Sequence, residues 1–147
     1  MLLTLIKMRK LLIIISIIGA FNISAQSNKQ IAASYIKKAN EAIEKSIDYT
    51  TALINFNKAI KYMEAITDEK VASLGARAYF EIHHKQRTLK RQIQFLEKSN
   101  YYSKKFFSLA RNKNSNRYAS NVEIYAMSKN ALKKLRYAER RLTMRKF

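Results

Sequence analysis

Apolar side chains recur every three or four positions along most of the chain beyond residue 26, which is the spacing of amphipathic helices. Runs of Ser, Thr, Asp and Asn separate these segments, and such residues cap helix starts and form tight links. The pattern predicts four helices, over residues 28–47, 50–66, 69–84 and 87–111. Residues 112–116, of sequence Asn-Lys-Asn-Ser-Asn, form the clearest loop of the chain.

Two arrangements compete beyond that loop. Tyr118, Val122 and Tyr125 form one apolar stripe, and a second stripe lies within residues 131–142. On a single helix of 3.6 residues per turn the two stripes are offset by roughly 140°. The offset favours a hairpin of two helices over one long helix, although neither Gly nor Pro enforces a break between the stripes.

Composition agrees with an all-α fold. The 147 residues include no Pro and only two Gly, so the turns that β-hairpins need are scarce. Cysteine is absent, which excludes disulfides, thiolate metal sites, cysteine nucleophiles and a lipid-modified N-terminal cysteine.

The N-terminus has the pattern of a secretory signal peptide. Basic residues within the segment 7–10 precede an apolar run over residues 11–21, and Ala25 ends the stretch before polar sequence begins. A basic segment, about 7–15 apolar residues and a small residue at the exit describe a cleaved signal. We expect removal of residues 1–25 and export of residues 26–147, to the periplasm or outside the cell. An uncleaved anchor is the alternative, but the run is shorter than the roughly 20 residues that cross a bilayer.

Residues 48–60 resemble the second helix of a tetratricopeptide repeat (TPR). The resemblance rests on an aromatic residue followed by a small–aromatic–small pattern, at Tyr49, Ala52, Phe56 and Ala59. The physical reason for that pattern is packing, because small side chains let neighbouring helices approach while the aromatic ring fills the gap between them.

A second unit follows 35 residues later, where Leu74 and Gly75 match the Leu-Gly pair of a TPR first helix. Its second helix departs from the motif, since Arg87 stands where a small residue is usual. A third, weaker match spans residues 119–138. Together the matches imply two to three degenerate repeats, stacked as a short solenoid of antiparallel helical hairpins. A generic helical bundle is the alternative, because packed helices share this periodicity.

The resemblance also implies roles for individual residues. The repeat-packing positions are Ala52, Phe56, Ala59, Leu74 and Gly75. The positions that would face a groove are Lys37, Glu41, Glu44 and Lys45 in the first unit and Tyr79 and Phe80 in the second. TPR grooves receive peptides or helices of partner proteins, so the resemblance implies an exported scaffold or adaptor that mediates protein–protein interaction. The input end of a longer signalling protein remains a third possibility.

Charge is distributed unevenly along the chain. Residues 26–70 hold seven basic and six acidic side chains, whereas residues 71–147 hold nineteen basic and four acidic, a net charge of +15. A field of this size attracts anionic partners. The alternative function is therefore a cationic module that binds acidic lipid or an anionic polymer through residues 71–147. Nucleic acid is a less available polyanion after export.

The most basic segment, residues 133–147, has the pattern of a basic amphipathic helix. It could lie on a membrane surface or close a repeat array as its polar cap. Its candidate anion-binding residues are Lys133, Lys134, Arg136, Arg140 and Arg141.

Chemistry for catalysis is not visible in the sequence. His83 and His84 are adjacent, so on a helix they point about 100° apart and cannot share a metal ion. A single Gly beyond residue 25 excludes glycine-rich phosphate loops. We therefore predict a binding protein with no enzymatic activity, no cofactor and no metal.

Overall fold

The computed structural model describes residues 27–144, and these residues form an all-α fold, as the sequence predicts. The helices in chain order are α1 (27–46), α2 (Tyr49–Ile60), α3 (Glu69–Ile82), a short 3-10 helix (His83–Lys85), α4 (Leu89–Leu109) and α5 (Asn116–Met144). Strands are absent from this described range. The predicted signal peptide, residues 1–25, lies outside it.

Side-chain caps begin four of the helices, among them α5, where Oγ of Ser115 accepts the Tyr118 N–H at 3.2 Å. Oδ1 of Asp48 accepts the backbone N–H groups of Thr50 and Thr51, each at 3.0 Å. The pKa of the Asp48 carboxyl is lowered chiefly by the side-chain hydrogen bond from Thr51, and further by these backbone donors. Asp68 caps α3 and Thr88 caps α4 in the same way. The predicted start of the third helix after Asp68 is therefore confirmed.

The link between α1 and α2 contains a strained residue. Ile47 has a φ of 53°, and its N–H donates to the Ile43 carbonyl at 3.0 Å. This is a left-handed cap at the end of α1, a position that usually holds Gly. A β-branched side chain resists positive φ. The Ile47 side chain is 72% exposed, so it gains little packing in return.

The core is built around α3, which contacts α2, α4 and α5. All of the predicted packing residues are buried: Ala52, Phe56, Ala59, Leu74 and Gly75. A Cβ atom on Gly75 would lie 2.5 Å from Cζ of Phe56 and 3.0 Å from Cγ of Tyr102. Because glycine has no side chain, the backbone of α3 can contact the rings of both Phe56 and Tyr102 at this position. Burial raises the pKa of Tyr102 to about 12.

The C-terminal segment is one continuous helix, so the predicted hairpin, with its break near residues 127–130, is wrong. The side of α5 that faces the core runs through positions at alternating spacings of three and four, namely Asn121, Ile124, Ser128, Ala131, Leu135 and Ala138. Asn121 and Ser128 are polar but buried, whereas Val122 is 46% exposed. The apolar stripe through Val122 is therefore not the buried face of α5. When the buried polar residues Asn121 and Ser128 are included, one continuous face runs along the helix and the offset between the two stripes disappears.

Polar side chains are buried where α4 packs on its neighbours. We call this set the polar seam, and its members are Ser99, Ser103, Asn121 and Ser128. Oγ of Ser99 donates to the Ala76 carbonyl at 2.9 Å, and Oγ of Ser128 donates to the Leu96 carbonyl at 3.2 Å. Hydrogen bonds from these polar residues thus join α4 to α3 and α5 to α4. Helices α1, α2 and α3 pack on one another chiefly through apolar side chains.

Candidate functional site

A groove of about 880 Å³ lies between α1, the link over residues 61–68 and the first turn of α3. Its apolar lining consists of Ala32, Ala33, Ile36, Met63, Ala65 and Val71. Its charged lining consists of Lys29, Lys37, Glu41, Glu44, Glu64 and Asp68. We call it the acidic groove, because four carboxylates face two amines in a chain whose net charge is +19.

Three of the predicted groove residues line the acidic groove together. Lys37, Glu41 and Glu44 share one side of α1 because they are separated by four and three positions. Glu41 lies 4.0 Å from the amines of both Lys37 and Lys45. These pairs are exposed and contribute little to stability. Lys45 is not itself a lining residue, so it touches the groove only through Glu41.

The opposite wall comes from residues that were predicted to be helical. The second helix was expected to reach residue 66, but α2 ends at Ile60 and the link that follows forms the wall. Tyr62 lines the groove, and its ring stacks on Tyr35 with centroids 6.2 Å apart. The amines of Lys38 and Lys58 lie 5.6 and 5.7 Å from the Tyr35 centroid. No signal in the sequence marked this link as a groove wall.

Tyr79 was predicted to face the groove, and that prediction is wrong. Tyr79 is 2% exposed, its hydroxyl donates to Oδ1 of Asn57 at 2.7 Å, and its ring stacks on Tyr102. The physical reason is that α3 is covered by α2 and α4, so its aromatic face belongs to the core. Phe80 is half-buried beside the His83 ring and does not line the acidic groove.

A second groove, of about 490 Å³, lies between α4 and the C-terminal half of α5. Its lining residues are Asn100, Lys104, Tyr125, Lys129, Leu132, Lys133, Arg136, Tyr137 and Arg140. Five of these are cationic and none is acidic, so we call it the basic groove. It shares no residue and no helix with the acidic groove.

Three of the five predicted anion-binding residues lie in the basic groove, namely Lys133, Arg136 and Arg140. Arg136 donates to Oε1 of Glu97 at 2.6 Å, in an exposed ion pair. Lys134 and Arg141 are exposed but lie outside the groove lining.

Two cations of the basic groove were missed in the sequence. Lys129 precedes Lys133 by one helical turn, so extending the basic stripe backwards would have found it. Lys104 comes from α4, and only the packing of the two helices brings it to this groove.

The described residues hold no other site chemistry. His83 and His84 lie in the 3-10 helix, where Nδ1 of His83 contacts the Phe80 carbonyl. Between residues 27 and 144 no cluster of three or more His, Cys, Asp or Glu side chains could hold a metal ion, and no helix is long and apolar enough to cross a membrane. No protein-family model, curated protein or solved structure matches the chain. The two grooves are therefore the features of residues 27–144 that suggest a function.

Proposed function

We propose that this chain is a non-catalytic helical-repeat scaffold of the TPR type, whose acidic groove binds a basic amphipathic helix of a protein partner. The observation that carries the proposal is an apolar floor bordered by four carboxylates in a strongly basic chain. An amphipathic helix binds such a groove by placing its apolar side on the floor. Its flanking Lys and Arg would meet the carboxylates, which sets orientation and speeds encounter.

Close packing between successive helices supports the repeat part of the proposal. Ala52 and Ala59 are fully buried on α2, and Gly75 lets the Phe56 ring approach the backbone of α3. TPR units need small residues at such positions so that each hairpin can stack on the next. In this arrangement α5 closes the array, with its exposed cations as the polar cap.

The test is a binding titration of residues 26–147 with a fluorescent amphipathic peptide rich in Leu, Lys and Arg. A peptide of the same composition in scrambled order serves as the ligand control. We expect the amphipathic order to bind at least tenfold more tightly, and to lose about tenfold in Glu44→Lys/Glu64→Lys. Glu123→Lys/Glu139→Lys is the matched protein control, because it makes the same charge change at two exposed residues that lie in neither groove. Equal binding of both peptides, or an unchanged affinity in the groove variant, contradicts the proposal.

A specific observation favours a second function, which is attachment to acidic lipid or an anionic polymer. The basic groove gathers five cations with no carboxylate among its lining residues. Each Lys or Arg near an acidic membrane contributes about 1 kcal/mol, so the four cations other than Arg136, which is paired with Glu97, suffice for peripheral binding at low salt. Screening would weaken this attraction as salt rises.

Vesicle sedimentation tests the second function. We expect residues 26–147 to bind acidic but not neutral vesicles at low salt, and Lys133→Glu/Arg140→Glu to abolish binding. Arg87→Glu/Lys113→Glu makes the same charge change at exposed sites outside both grooves and should bind more tightly than the groove variant. Equal loss of vesicle binding in both variants would indicate that binding depends on net charge rather than on the basic groove. Competition by a soluble polyanion distinguishes a polymer ligand from a lipid.

Export through a cleaved signal peptide is part of the proposal. We expect the exported protein to begin at Gln26, which N-terminal sequencing of the secreted or periplasmic form would check. Retention of residues 1–25 on a membrane-bound product would contradict cleavage.

A further inference from the structure

The C-terminal end of α5 extends past the helix on which it packs. Ser128 of α5 contacts Leu96 of α4, and the two helices are antiparallel because Phe107 also meets Tyr118. From Leu96 only seven residues lead back to the start of α4 at Leu89, whereas α5 continues for sixteen residues beyond Ser128. Both helices rise about 1.5 Å per residue. The last turns of α5 therefore pass the end of α4.

These last turns carry apolar side chains that nothing in residues 27–144 covers. Every residue over 139–144 is exposed, with Leu142 at 53% and Met144 at 70%. Leu142 follows Ala138 by four positions, so it continues the buried face of α5 beyond the reach of α4. An apolar position that continues a packed helix face is suited to pack on another surface.

Cations flank this apolar end. We define the α5 tip as Tyr137, Arg140, Arg141, Leu142 and Met144. The guanidinium of Arg141 lies 5.9 Å from the Tyr137 centroid, a cation–π contact that also keeps the ring beside the charge. Leu142 and Met144 lie two positions apart on α5, so they point about 160° apart on the helix. The side of the α5 tip that carries Leu142 therefore places one apolar side chain next to the cation Arg141, which is the ligand chemistry that the acidic groove fits.

We propose that a second copy of this chain occupies the acidic groove, with the α5 tip of one copy inserted into the acidic groove of the next. Leu142 would pack on the apolar floor, and Arg141, about 100° round the helix from it, would meet the carboxylates of Glu44 and Glu64. The inference rests on the proposed function, because it names the partner of the same groove. Charge complementarity carries it: within one strongly basic chain, four carboxylates surround the apolar floor and two arginines flank the apolar tip.

The contact joins two different surfaces of the chain. The α5 tip and the acidic groove share no residue, so each copy offers one tip and one groove. Two copies can close on each other by exchanging tips, and otherwise the same contact gives larger rings or open chains. Because the contact depends on exposed charges, we expect it to weaken as salt is raised.

Sedimentation velocity of residues 26–147 tests the inference. At low salt we expect the average sedimentation coefficient to rise with protein concentration, and to return to the monomer value at high salt. The groove variant Glu44→Lys/Glu64→Lys and the tip variant Arg140→Glu/Arg141→Glu should each remain monomeric alone. An equimolar mixture of the two should associate again, because each then offers a surface complementary to the other. Monomeric wild-type protein at low salt, or a mixture that stays monomeric, overturns the inference.

A third variant keeps the test independent of charge. Leu142→Ser changes an exposed side chain that lines neither groove, so the fold is expected to be retained. We expect this variant to self-associate at least tenfold more weakly than the wild type. Unchanged self-association would show that the α5 tip does not form the contact.

The peptide titration described above separates the two proposals. If the wild-type chain is monomeric while the amphipathic peptide still binds, self-association is overturned and the scaffold function stands. If neither associates with the groove, both proposals are contradicted.

Discussion

Helices α1 to α3 and helices α4 to α5 are held together by different kinds of contact. The first group buries Ala, Leu, Val and aromatic side chains, whereas the second adds the polar seam, whose hydroxyl and amide groups are buried. A buried apolar side chain contributes about 1.5–3 kcal/mol, and a hydrogen bond contributes about 0.5–1.5 kcal/mol net. The contacts within α1–α3 therefore rest on apolar burial, whereas those between α4 and its neighbours combine apolar burial with hydrogen bonds.

The two regions also differ in charge and in the groove that each carries. Residues 26–70 are nearly neutral and supply most of the acidic groove, whereas the helix pair α4–α5 supplies the basic groove. The charge of a groove therefore does not follow from the net charge of the chain, because a chain with a net charge of +19 still concentrates carboxylates on one surface.

The largest expected effect on stability comes from a substitution in the apolar core of α1 to α3. Phe56 is fully buried and meets the rings of Tyr79 and Tyr102, so Phe56→Ala should lower the free energy of unfolding by about 3–5 kcal/mol. Ile54→Ala is the control on the same helix, since Ile54 is 51% exposed. Urea denaturation followed by circular dichroism measures both. Similar losses in the two variants would show that Phe56 is not a core anchor.

The next effect tests the close approach of α2 and α4 to α3. Gly75→Ala adds a Cβ atom 2.5 Å from the Phe56 ring, and we expect it to lower the free energy of unfolding by about 1–3 kcal/mol. Elsewhere in a helix the same substitution is stabilising. Lys70→Ala, at an exposed site on α3, should change stability by less than about 0.5 kcal/mol. A Gly75→Ala protein more stable than wild type would exclude the close packing.

A pair of substitutions in the polar seam sharpens the comparison. Oγ of Ser103 is buried with no hydrogen-bond partner among the described residues, whereas Oγ of Ser128 donates to Leu96. Both changes to Ala gain the same helix propensity, but only Ser128→Ala loses a hydrogen bond. We expect Ser103→Ala to raise the free energy of unfolding. The Ser103→Ala variant should be about 1 kcal/mol more stable than the Ser128→Ala variant. The reverse order in thermal or urea denaturation would contradict this description of the seam.

The smallest effect concerns the strained link of the apolar region. Ile47→Gly removes the side chain from a positive-φ position, and we expect a gain of about 0.5–1 kcal/mol in the free energy of unfolding. Ile47→Ala keeps a Cβ atom at the same φ and is the matched control, with little expected gain. A glycine variant no more stable than the alanine variant would show that backbone strain is not the cause.

Sequence patterns predicted what depends on apolar spacing and missed what depends on packing between distant segments. The core positions Phe56 and Gly75 follow from their local motif, and both are buried. The polar seam could not be read as a buried face, because Asn121 and Ser128 have the chemistry of exposed residues. Tyr79 was misplaced because the burial of α3 depends on helices that flank it in space.

The grooves show the same division. Lys37, Glu41 and Glu44 were predicted because the TPR resemblance implies a groove along one side of a single helix. Lys133, Arg136 and Arg140 were predicted from the local run of basic residues. Tyr62 and Lys104 were not, because each reaches its groove only through the packing of another helix or link.

Hydrogen exchange of residues 26–147 is the most direct test of a molecule with two separate grooves. The protein would be measured alone, with the basic amphipathic peptide, and with acidic vesicles at low salt. We predict that the peptide protects α1 and the link over residues 61–68, and that the vesicles protect the C-terminal half of α5. Protection of the same segment by both ligands, or protection by neither, would contradict the assignment of separate partners to the two grooves.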